Sequence, residues 1–216
     1  TDNFSWFTTL TGAHNKNTSE KLYDGEDIQL FPYILREGES RYTYYLREAA
    51  GVNPETGQWE WYKNTTDDDG NIISGRDKTT VSGEARSTKV GSWDPDFYGG
   101  VRNAIKYRNV DLSFLLNYTI GGESYDSYAF YLNNDGRFPY QGIPKGQLDR
   151  WTQPGDIAAN PMRVFNNASN SDFQSSRRLH STTHLRLKNI TLGYNLPKYI
   201  LEKTSFFSSA RLSVNG

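Results

Sequence analysis

The clearest pattern along the chain is an alternation of apolar and polar positions. From Val110 to Ile120, apolar or aromatic residues occupy every second position, and Asp, Ser, Asn and Thr fill most of the positions between them. Successive side chains of a strand point to opposite faces of a sheet. The run therefore predicts a long strand with one apolar face and one polar face.

Other stretches share this two-residue period. The link Arg108-Asn109 is short enough to join Val110–Ile120 to the preceding run as a tight hairpin. A change of phase near Asn189 predicts a β-bulge, and Pro197 is placed to open a single helical turn. The further strand-like runs are Phe4–Leu10, Arg41–Arg47, Val101–Tyr107, Leu185–Tyr194 and Ala210–Val214.

Long and short connections alternate between these runs. The runs that end near Ala49 and Ile120 lead into polar connections of about 50 and about 65 residues, beyond the usual lengths in compact domains. The runs that end at Tyr107 and Tyr194 are followed by short links. Up-and-down barrels of outer membranes have this asymmetry, with short periplasmic turns, long external loops and strands of about 9–11 residues.

Composition narrows the function classes. The 216 residues contain 24 basic and 25 acidic side chains, so the formal charge of -1 does not suggest nucleic-acid binding. The absence of cysteine excludes a disulfide scaffold and thiolate metal sites. No stretch approaches the roughly 18 apolar residues of a membrane helix, which excludes a helical membrane protein but leaves a membrane β-barrel open.

The number of strands suggests an incomplete barrel. About six strands are predicted, whereas the smallest single-chain outer-membrane barrels have about eight. An open sheet would leave unpaired edges in lipid. Since the pattern also breaks off in mid-strand at "RLSVNG", we expect the chain to be a fragment of a larger barrel.

Several motifs follow one another in a recognisable order. They are "AGVNPETGQWEWY" (50–62), "DPDFYGGVRN" (94–103), "DRWTQPGD" (149–156), "SSRRLHSTTHLRLKNITLGYNLP" (175–197) and the closing "ARLSVNG". This succession resembles the C-terminal barrel region of SusC/RagA-like TonB-linked outer-membrane transporters, and the resemblance extends over nearly the whole chain.

The resemblance implies a specific architecture and role. Residues 1–216 would be part of an antiparallel transmembrane β-barrel, 22-stranded in that family, without the plug domain and the final strand. It implies TonB-dependent import of oligosaccharides or oligopeptides across the Gram-negative outer membrane. The implied partners are a SusD-like surface lipoprotein, TonB through the N-terminal region, and outer-membrane lipid.

Tryptophan and arginine residues in the long connections are candidates for ligand or partner contact. Trp59 and Trp61 lie on one strand face, as in a sugar-stacking platform, although an interfacial girdle or a loop-packing cluster explains them equally well. Arg150 and Trp151 belong to "DRWTQPGD", where Pro154-Gly155 favours a turn and Asp156 can bind nearby amides. Packing within the loop is the more common role for such residues.

The arginines of "SSRR" complete the candidate set. Arg177 and Arg178 could pair with loop carboxylates or with a partner, or could form a solvated face. No histidine and acid are positioned by the sequence for a nucleophilic triad with these serines. Import by binding and gated passage needs no covalent chemistry, so the transporter interpretation predicts no catalytic residues and no enzyme activity.

Metal and cofactor sites are not expected. His180 and His184 are about 13 Å apart on an extended segment, too far for one zinc ion. The acidic run from Asp67 to Asn71, aligned on Gly70, places Thr65 and Arg76 at calcium-ligand positions, so the EF-hand pattern fails. This run and Asn134-Asp135-Gly136 are typical of surface turns.

One alternative function belongs to a different class. A secreted β-sandwich acting as a carbohydrate-binding module or glycosidase could use Trp59, Trp61 and Trp151 against sugar. A sandwich predicts short connections at both ends and a closed soluble fold. The alternation of long and short connections favours the barrel.

Overall fold

A computed structural model describes residues 3–68, 71–74, 76–165, 170–203 and 206–216. The predicted all-β antiparallel fold is confirmed. No helix in these ranges is long and apolar enough to cross a bilayer. The strands are β1 (Phe4–Ala13), β2 (Ile28–Leu30), β3 (Tyr33–Leu35), β4 (Thr43–Arg47), β5 (Ala49–Val52), β6 (Trp59–Tyr62), β7 (Thr65–Thr66), β8 (Ile72–Ser74), β9 (Lys78–Thr79), β10 (Ser87–Ser92), β11 (Phe97–Tyr107), β12 (Val110–Ile120), β13 (Glu123–Tyr125), β14 (Leu179–Ser181), β15 (His184–Asn195) and β16 (Arg211–Asn215).

Among the residues that the structure describes, helical structure is limited to single turns. The short helices are α1 (Ala129–Leu132) and α2 (Lys198–Leu201), and 3-10 turns span Tyr23–Gly25, Ser82–Glu84, Lys145–Leu148 and Ser176–Arg178. The turn predicted at Pro197 is confirmed, since Pro197 is the N-cap of α2.

The chain divides into two compact units. The sheet unit comprises Thr1–Asn15, Pro95–Gly121 and Thr182–Gly216, and the loop unit comprises Lys16–Asp94 and Gly122–Ser181. The sheet unit is one antiparallel sheet in the order β1-β11-β12-β15-β16. The loop unit contains short sheets in the orders β10-β4-β3-β2, β5-β6-β9, β7-β8 and β13-β14.

Local sequence explains the geometry of the long sheet. The predicted hairpin joins β11 to β12 through two residues, and Arg108 adopts φ 52 there to reverse the chain. The predicted bulge is also present: Leu115 pairs with Asn189 but Leu116 pairs with Leu187, which leaves Lys188 as the extra residue. The bulge keeps the apolar residues on one face across the change of phase.

The prediction that Arg41–Arg47 is one of the six barrel strands was wrong. Its ordered part is β4, five residues long, inside a four-stranded sheet of the loop unit. Thr43, Tyr44 and Leu46 are all buried, so both faces of β4 are covered. One long connection therefore runs from residue 14 to residue 96, and the long sheet contains five of the expected six strands.

Buried residues of the loop unit hold its short sheets together. Trp59, Trp61 and Ala85 form one core cluster, against which Ala49, Val52 and Phe173 pack. Ile34, Tyr44 and Leu46 are buried in the four-stranded sheet. These contacts make the long connections an ordered body and not a collection of free loops.

Candidate functional site

The register of the long sheet separates its side chains by chemistry. Cross-strand partners share a face, and Leu116 pairs with Val101 on one side and with Leu187 on the other. We define the apolar face by the residues that share this orientation. They are Phe4, Trp6, Thr8, Leu10, Gly12, Phe97, Gly99, Val101, Asn103, Ile105, Tyr107, Val110, Leu112, Phe114, Leu116, Tyr118, Ile120, Leu185, Leu187, Ile190, Leu192, Tyr194, Leu212 and Val214.

Large side chains of the apolar face are uncovered. Trp6 is 66% exposed and Val214 is 74% exposed. Soluble proteins rarely expose contiguous apolar patches larger than a few hundred Å². Such a face requires an apolar environment, and β11 and β12, at 11 residues each, have the length of strands that cross a bilayer.

One polar cluster interrupts the apolar face. Asn103 is only 8% exposed, and its Oδ1 accepts hydrogen bonds from Trp6 Nε1 at 3.0 Å and from Thr8 Oγ1 at 2.7 Å. The three residues satisfy one another, which removes much of the cost of placing an amide among apolar neighbours. The alternation alone did not predict this cluster.

The opposite face carries the charges of the sheet. The register places Lys106 opposite Asp111 and Arg102 opposite Leu115, and Asp111 also binds Arg211 at 2.6 Å. Phe7 shares this face as an apolar exception. Basic side chains outnumber acidic ones on this face, which has the polar character of a wet barrel interior.

The connections leave the long sheet asymmetrically. At one end, Ala13 pairs with Tyr98 and Phe97 pairs with Ile120, so both long connections start and finish there. At the other end, the two-residue hairpin and the 196–210 connection join neighbouring strands. Both chain segments of the loop unit are therefore connected to the long sheet through strand ends at the same edge of that sheet.

Trp59 and Trp61 are located on one face of β6, as predicted, but that face is buried. Their side chains are 4% and 0% exposed, and their rings meet edge to face with centroids 6.1 Å apart. This environment fits loop packing, because a sugar-stacking platform needs exposed ring faces.

Trp151 contacts a tight turn elsewhere in the loop unit. Its Nε1 donates a hydrogen bond to Pro54 O at 2.7 Å, and its ring lies where a Cβ on Gly57 would approach Cε3 to 2.3 Å. Gly57 has φ +69, a conformation that favours glycine. Trp151 thus anchors "DRWTQPGD" to "NPETG", and both Trp151 and Arg150 remain partly exposed.

Asp156 closes the turn predicted at Pro154-Gly155. Its Oδ2 accepts hydrogen bonds from Thr152 Oγ1 at 2.7 Å, Thr152 N at 2.9 Å and Gln153 N at 3.0 Å. The Thr152 hydroxyl and these backbone amides lower the pKa of the Asp156 carboxyl. The expected role of Asp156 is confirmed.

Arg177 is the centre of a polar network inside the loop unit. Its Nη1 lies 2.5 Å from Asp135 Oδ2 and its Nη2 lies 2.8 Å from Asn160 Oδ1. The guanidinium also lies 4.4 Å from the ring centroid of Trp59. Arg177 therefore pairs with a loop carboxylate, one of the alternatives predicted for it.

Arg178 is buried, contrary to a solvated-face role. It is 4% exposed and lies over the ring of Phe130 at 5.3 Å. Burial lowers the pKa of its guanidinium, and Tyr125 and Asp172 oppose this effect. The six predicted contact residues thus divide into four that are largely enclosed and two, Arg150 and Trp151, that are partly exposed.

The residues considered for metal binding lie in separate contexts. His180 is in β14, and His184 begins β15. Asp67 accepts hydrogen bonds from the backbone N and Nδ2 of Asn71 at 2.7 and 3.1 Å, as in a turn. Asp69 and Gly70 of the same acidic run lie outside the described residues.

Two features of the loop unit were not predicted from the sequence. Asp135 was expected in a surface turn; it does take φ 50, but its carboxylate is buried against Arg177. Arg47 lines cavities together with residues more than 80 positions away, Phe130, Phe173 and Gln174. Such distant partners leave no local sequence signal.

Comparison with known proteins bears on the role of this arrangement. The chain is 27% identical over 227 residues to TonB-dependent receptor P3 of Formosa agariphila, covering 99% of the chain and 22% of that receptor. It is 25% identical over 255 residues to TonB-dependent receptor P39 of the same organism, covering 99% of the chain and 24% of that receptor. The resemblance to TonB-linked receptors is confirmed. No protein-family model matches the chain.

Solved structures show the same fold. The RagAB peptide transporter matches with a TM-score of 0.76 and 22% identity over 99% of the chain and 24% of that protein chain. The RagAB peptide importer in its closed-closed state matches with a TM-score of 0.77 and 22% identity over 100% of the chain and 23% of that protein chain. The chain thus spans about a quarter of the length of the relatives it matches, and those relatives are named as receptors and transporters.

Proposed function

We propose that this chain is part of the C-terminal barrel region of an outer-membrane TonB-dependent receptor that imports oligosaccharides or oligopeptides. One observation carries the proposal: a sheet with an apolar face and a charged face sends its long connections from one end only. A transmembrane barrel needs that combination, because lipid meets one face and water meets the other.

The orientation of the strands follows from this arrangement. The apolar face would contact lipid, the charged face would line the lumen, and the loop unit would lie outside the cell. The turn at Arg108-Asn109 and the 196–210 connection would lie in the periplasm. The outer strands β1 and β16 would pair with further strands of the receptor, in a barrel of the 22-stranded class, because open edges are costly in lipid.

Partners follow from the same proposal. A SusD-like surface lipoprotein would contact the external loops, and TonB would act through the N-terminal region of the whole receptor. Within the loop unit, Arg150 and Trp151 are the partly exposed candidates for contact with substrate or lipoprotein. Trp59, Trp61, Arg177 and Arg178 would support the loop unit from within.

Uptake by cells tests this function. Cells that carry the whole receptor should accumulate a labelled oligosaccharide or oligopeptide, and deletion of either the receptor gene or TonB should abolish accumulation. Equal accumulation in cells that lack TonB would contradict the proposal. Uptake of monomers through other routes serves as the control for cell viability.

The secreted sandwich has less support. It would require the apolar face of the long sheet to be covered by a second sheet, but the side chains of that face are largely uncovered. The buried Trp59 and Trp61 are also poorly placed for sugar binding. We therefore do not propose carbohydrate hydrolysis.

A further inference from the structure

Two cavities of the loop unit share the side chains of Arg47 and Gln174. One has a volume of about 280 Å³ and is also lined by Phe130 and Phe173. The other has a volume of about 270 Å³. Pockets for whole small molecules begin at roughly 300 Å³, so each cavity has the size for a single terminal residue of a longer ligand. The second cavity is also lined by Gln29, Phe31, Tyr33, Tyr45, Leu46 and Ser87.

Arg47 lines both cavities. It is the last residue of β4, and its Nε donates a hydrogen bond to Ala85 O at 3.3 Å. This bond fixes the side chain while leaving Nη1 and Nη2 available. Within the described ranges, neither nitrogen has a hydrogen-bond or ion-pair partner.

The surrounding charges leave the cavity positive. Arg137 is neutralised by Asp172 at 2.5 Å, and Arg177 by Asp135 at 2.5 Å. No carboxylate among the described residues forms such a pair with Arg47 or with Arg178. The nearby Asp126 instead accepts hydrogen bonds from the Tyr128 and Ala129 amides at 3.0 and 3.1 Å.

Arg178 strengthens this positive potential from behind the cavity wall. It is buried over the ring of Phe130, which lines the cavity. Its Nη2 makes no hydrogen bond within the described part of the chain. Asp172 and Asp126 favour its charge through space without forming an ion pair with it, and an anion bound at Arg47 would favour that charge further.

The remaining walls suit an amphipathic group. Phe130 and Phe173 provide apolar surface, and Gln174 is exposed and carries a carboxamide that can donate to an oxygen. Arg47 has the planar donor geometry that binds a carboxylate through two parallel hydrogen bonds. The cavity therefore combines a guanidinium, an amide and aromatic faces.

We propose that this cavity binds a carboxylate of the imported oligomer, with Arg47 as its ion-pair partner, Gln174 as a hydrogen-bond donor, and Phe130 and Phe173 as walls for the attached residue. This inference rests on the proposed import function. Two sources supply that chemistry: the free C-terminus of an oligopeptide and the uronate of an acidic oligosaccharide.

Binding to the purified whole receptor with its lipoprotein tests the proposal. The probes are a mixed-sequence oligopeptide with a free C-terminus, its C-terminal amide, an oligouronate and a neutral oligosaccharide of the same length. Arg47→Gln should weaken binding of the carboxylate probe by about ten- to a hundredfold, as expected for loss of a charge-assisted hydrogen bond. The amide or neutral probe should bind the wild-type receptor weakly and should be insensitive to the substitution.

Two further variants separate binding from folding. Arg86→Gln removes the same charge from an exposed position that lines neither cavity, and it should bind as the wild type does. Gln174→Glu places a negative charge on an exposed side chain of the cavity, where it repels the carboxylate of the ligand. It should therefore weaken carboxylate binding, and it tests the proposal even if Arg47→Gln fails to fold. The probe class that responds identifies the source of the carboxylate.

The result that overturns the proposal is distinct from failure of the import function. The proposal is overturned if Gln174→Glu and folded Arg47→Gln bind every probe with wild-type affinity. It is also overturned if the wild-type receptor binds a carboxylate probe and its amide or neutral counterpart equally well. A wild-type receptor that binds neither carboxylate probe overturns it as well. Import itself would still stand if TonB-dependent uptake of a neutral oligomer continued. Loss of all TonB-dependent uptake would instead remove the proposed function.

Discussion

The guanidinium of Arg177 lies 4.4 Å from the ring centroid of Trp59 and forms an ion pair with Asp135 at 2.5 Å. These contacts join β6, the turn at residue 135 and the 3-10 turn at Ser176–Arg178 within the loop unit. Two residues first considered as ligand contacts thus stabilise each other inside the protein.

Removal of one member of the Arg177–Asp135 pair should loosen the loop unit. Arg177→Gln leaves the buried Asp135 carboxylate without its cation, a change that typically costs about 3–5 kcal/mol. Hydrogen exchange of the whole receptor should show faster exchange at residues 59–62 and 170–178. Lys145→Gln, an exposed charge removal in the same unit, is the control, and equal exchange in both variants would contradict the role of the pair.

Gly57 should tolerate no side chain while Trp151 is present. A Cβ at this position would lie 2.3 Å from Trp151 Cε3, and φ +69 disfavours alanine as well. Gly57→Ala should therefore make the 53–57 and 149–156 segments more susceptible to limited proteolysis, and Trp151→Ala should relieve the steric part of this effect. Gly83→Ala is the control, because nothing lies within 4 Å of the added atom. The protease should cleave this variant as it cleaves the wild type.

Sequence periodicity predicted the long sheet better than the loop unit. Strands β11, β12 and β15 alternate over many residues, so the hairpin and the bulge could both be predicted from the sequence. Arg41–Arg47 shows the same alternation, but its ordered part, β4, is covered on both faces within a small sheet by residues distant in sequence. In a short run, alternation alone does not indicate whether the strand packs against lipid, water or other parts of the protein.

The candidate site was harder to predict for the same reason. The turn at Asp156 depends on residues within four positions, and it was predicted. Arg47 gains its surroundings from Phe130, Phe173 and Gln174, and Asp135 gains its partner from Arg177, 42 positions away. These contacts are set by long-range folding, for which the sequence offers no spacing rule.

The polar cluster on the apolar face should be replaceable only as a whole. Asn103→Leu leaves the Trp6 indole N–H and the Thr8 hydroxyl without an acceptor on the face that would meet lipid, at a cost of about 1–3 kcal/mol for each unsatisfied group. The combined variant Trp6→Phe, Thr8→Val and Asn103→Leu removes all the polar partners and should recover most of that stability. Refolding titrations in lipid vesicles measure both variants, and additive losses would contradict the proposed mutual satisfaction.

The two ends of the long sheet should be accessible from opposite sides of the membrane. Gly142→Cys lies in the loop unit at an exposed position with nothing within 4 Å of its added atom. Lys198→Cys lies in the short connection after β15. An impermeant maleimide should label only Gly142→Cys on intact cells and both variants after lysis, whereas labelling of Lys198→Cys on intact cells would contradict the orientation.

Cysteine scanning of β12 tests the central claim most directly, namely that the long sheet spans a bilayer with its apolar face in lipid. The chain contains no cysteine, so each introduced thiol in it is a unique reporter. With the receptor in vesicles, a fluorophore at Leu112, Phe114 or Leu116 should be quenched by brominated lipid, and one at Ser113 or Asn117 should be quenched by aqueous iodide. Alternation with a period of two confirms the account. Aqueous quenching at all five positions would contradict it.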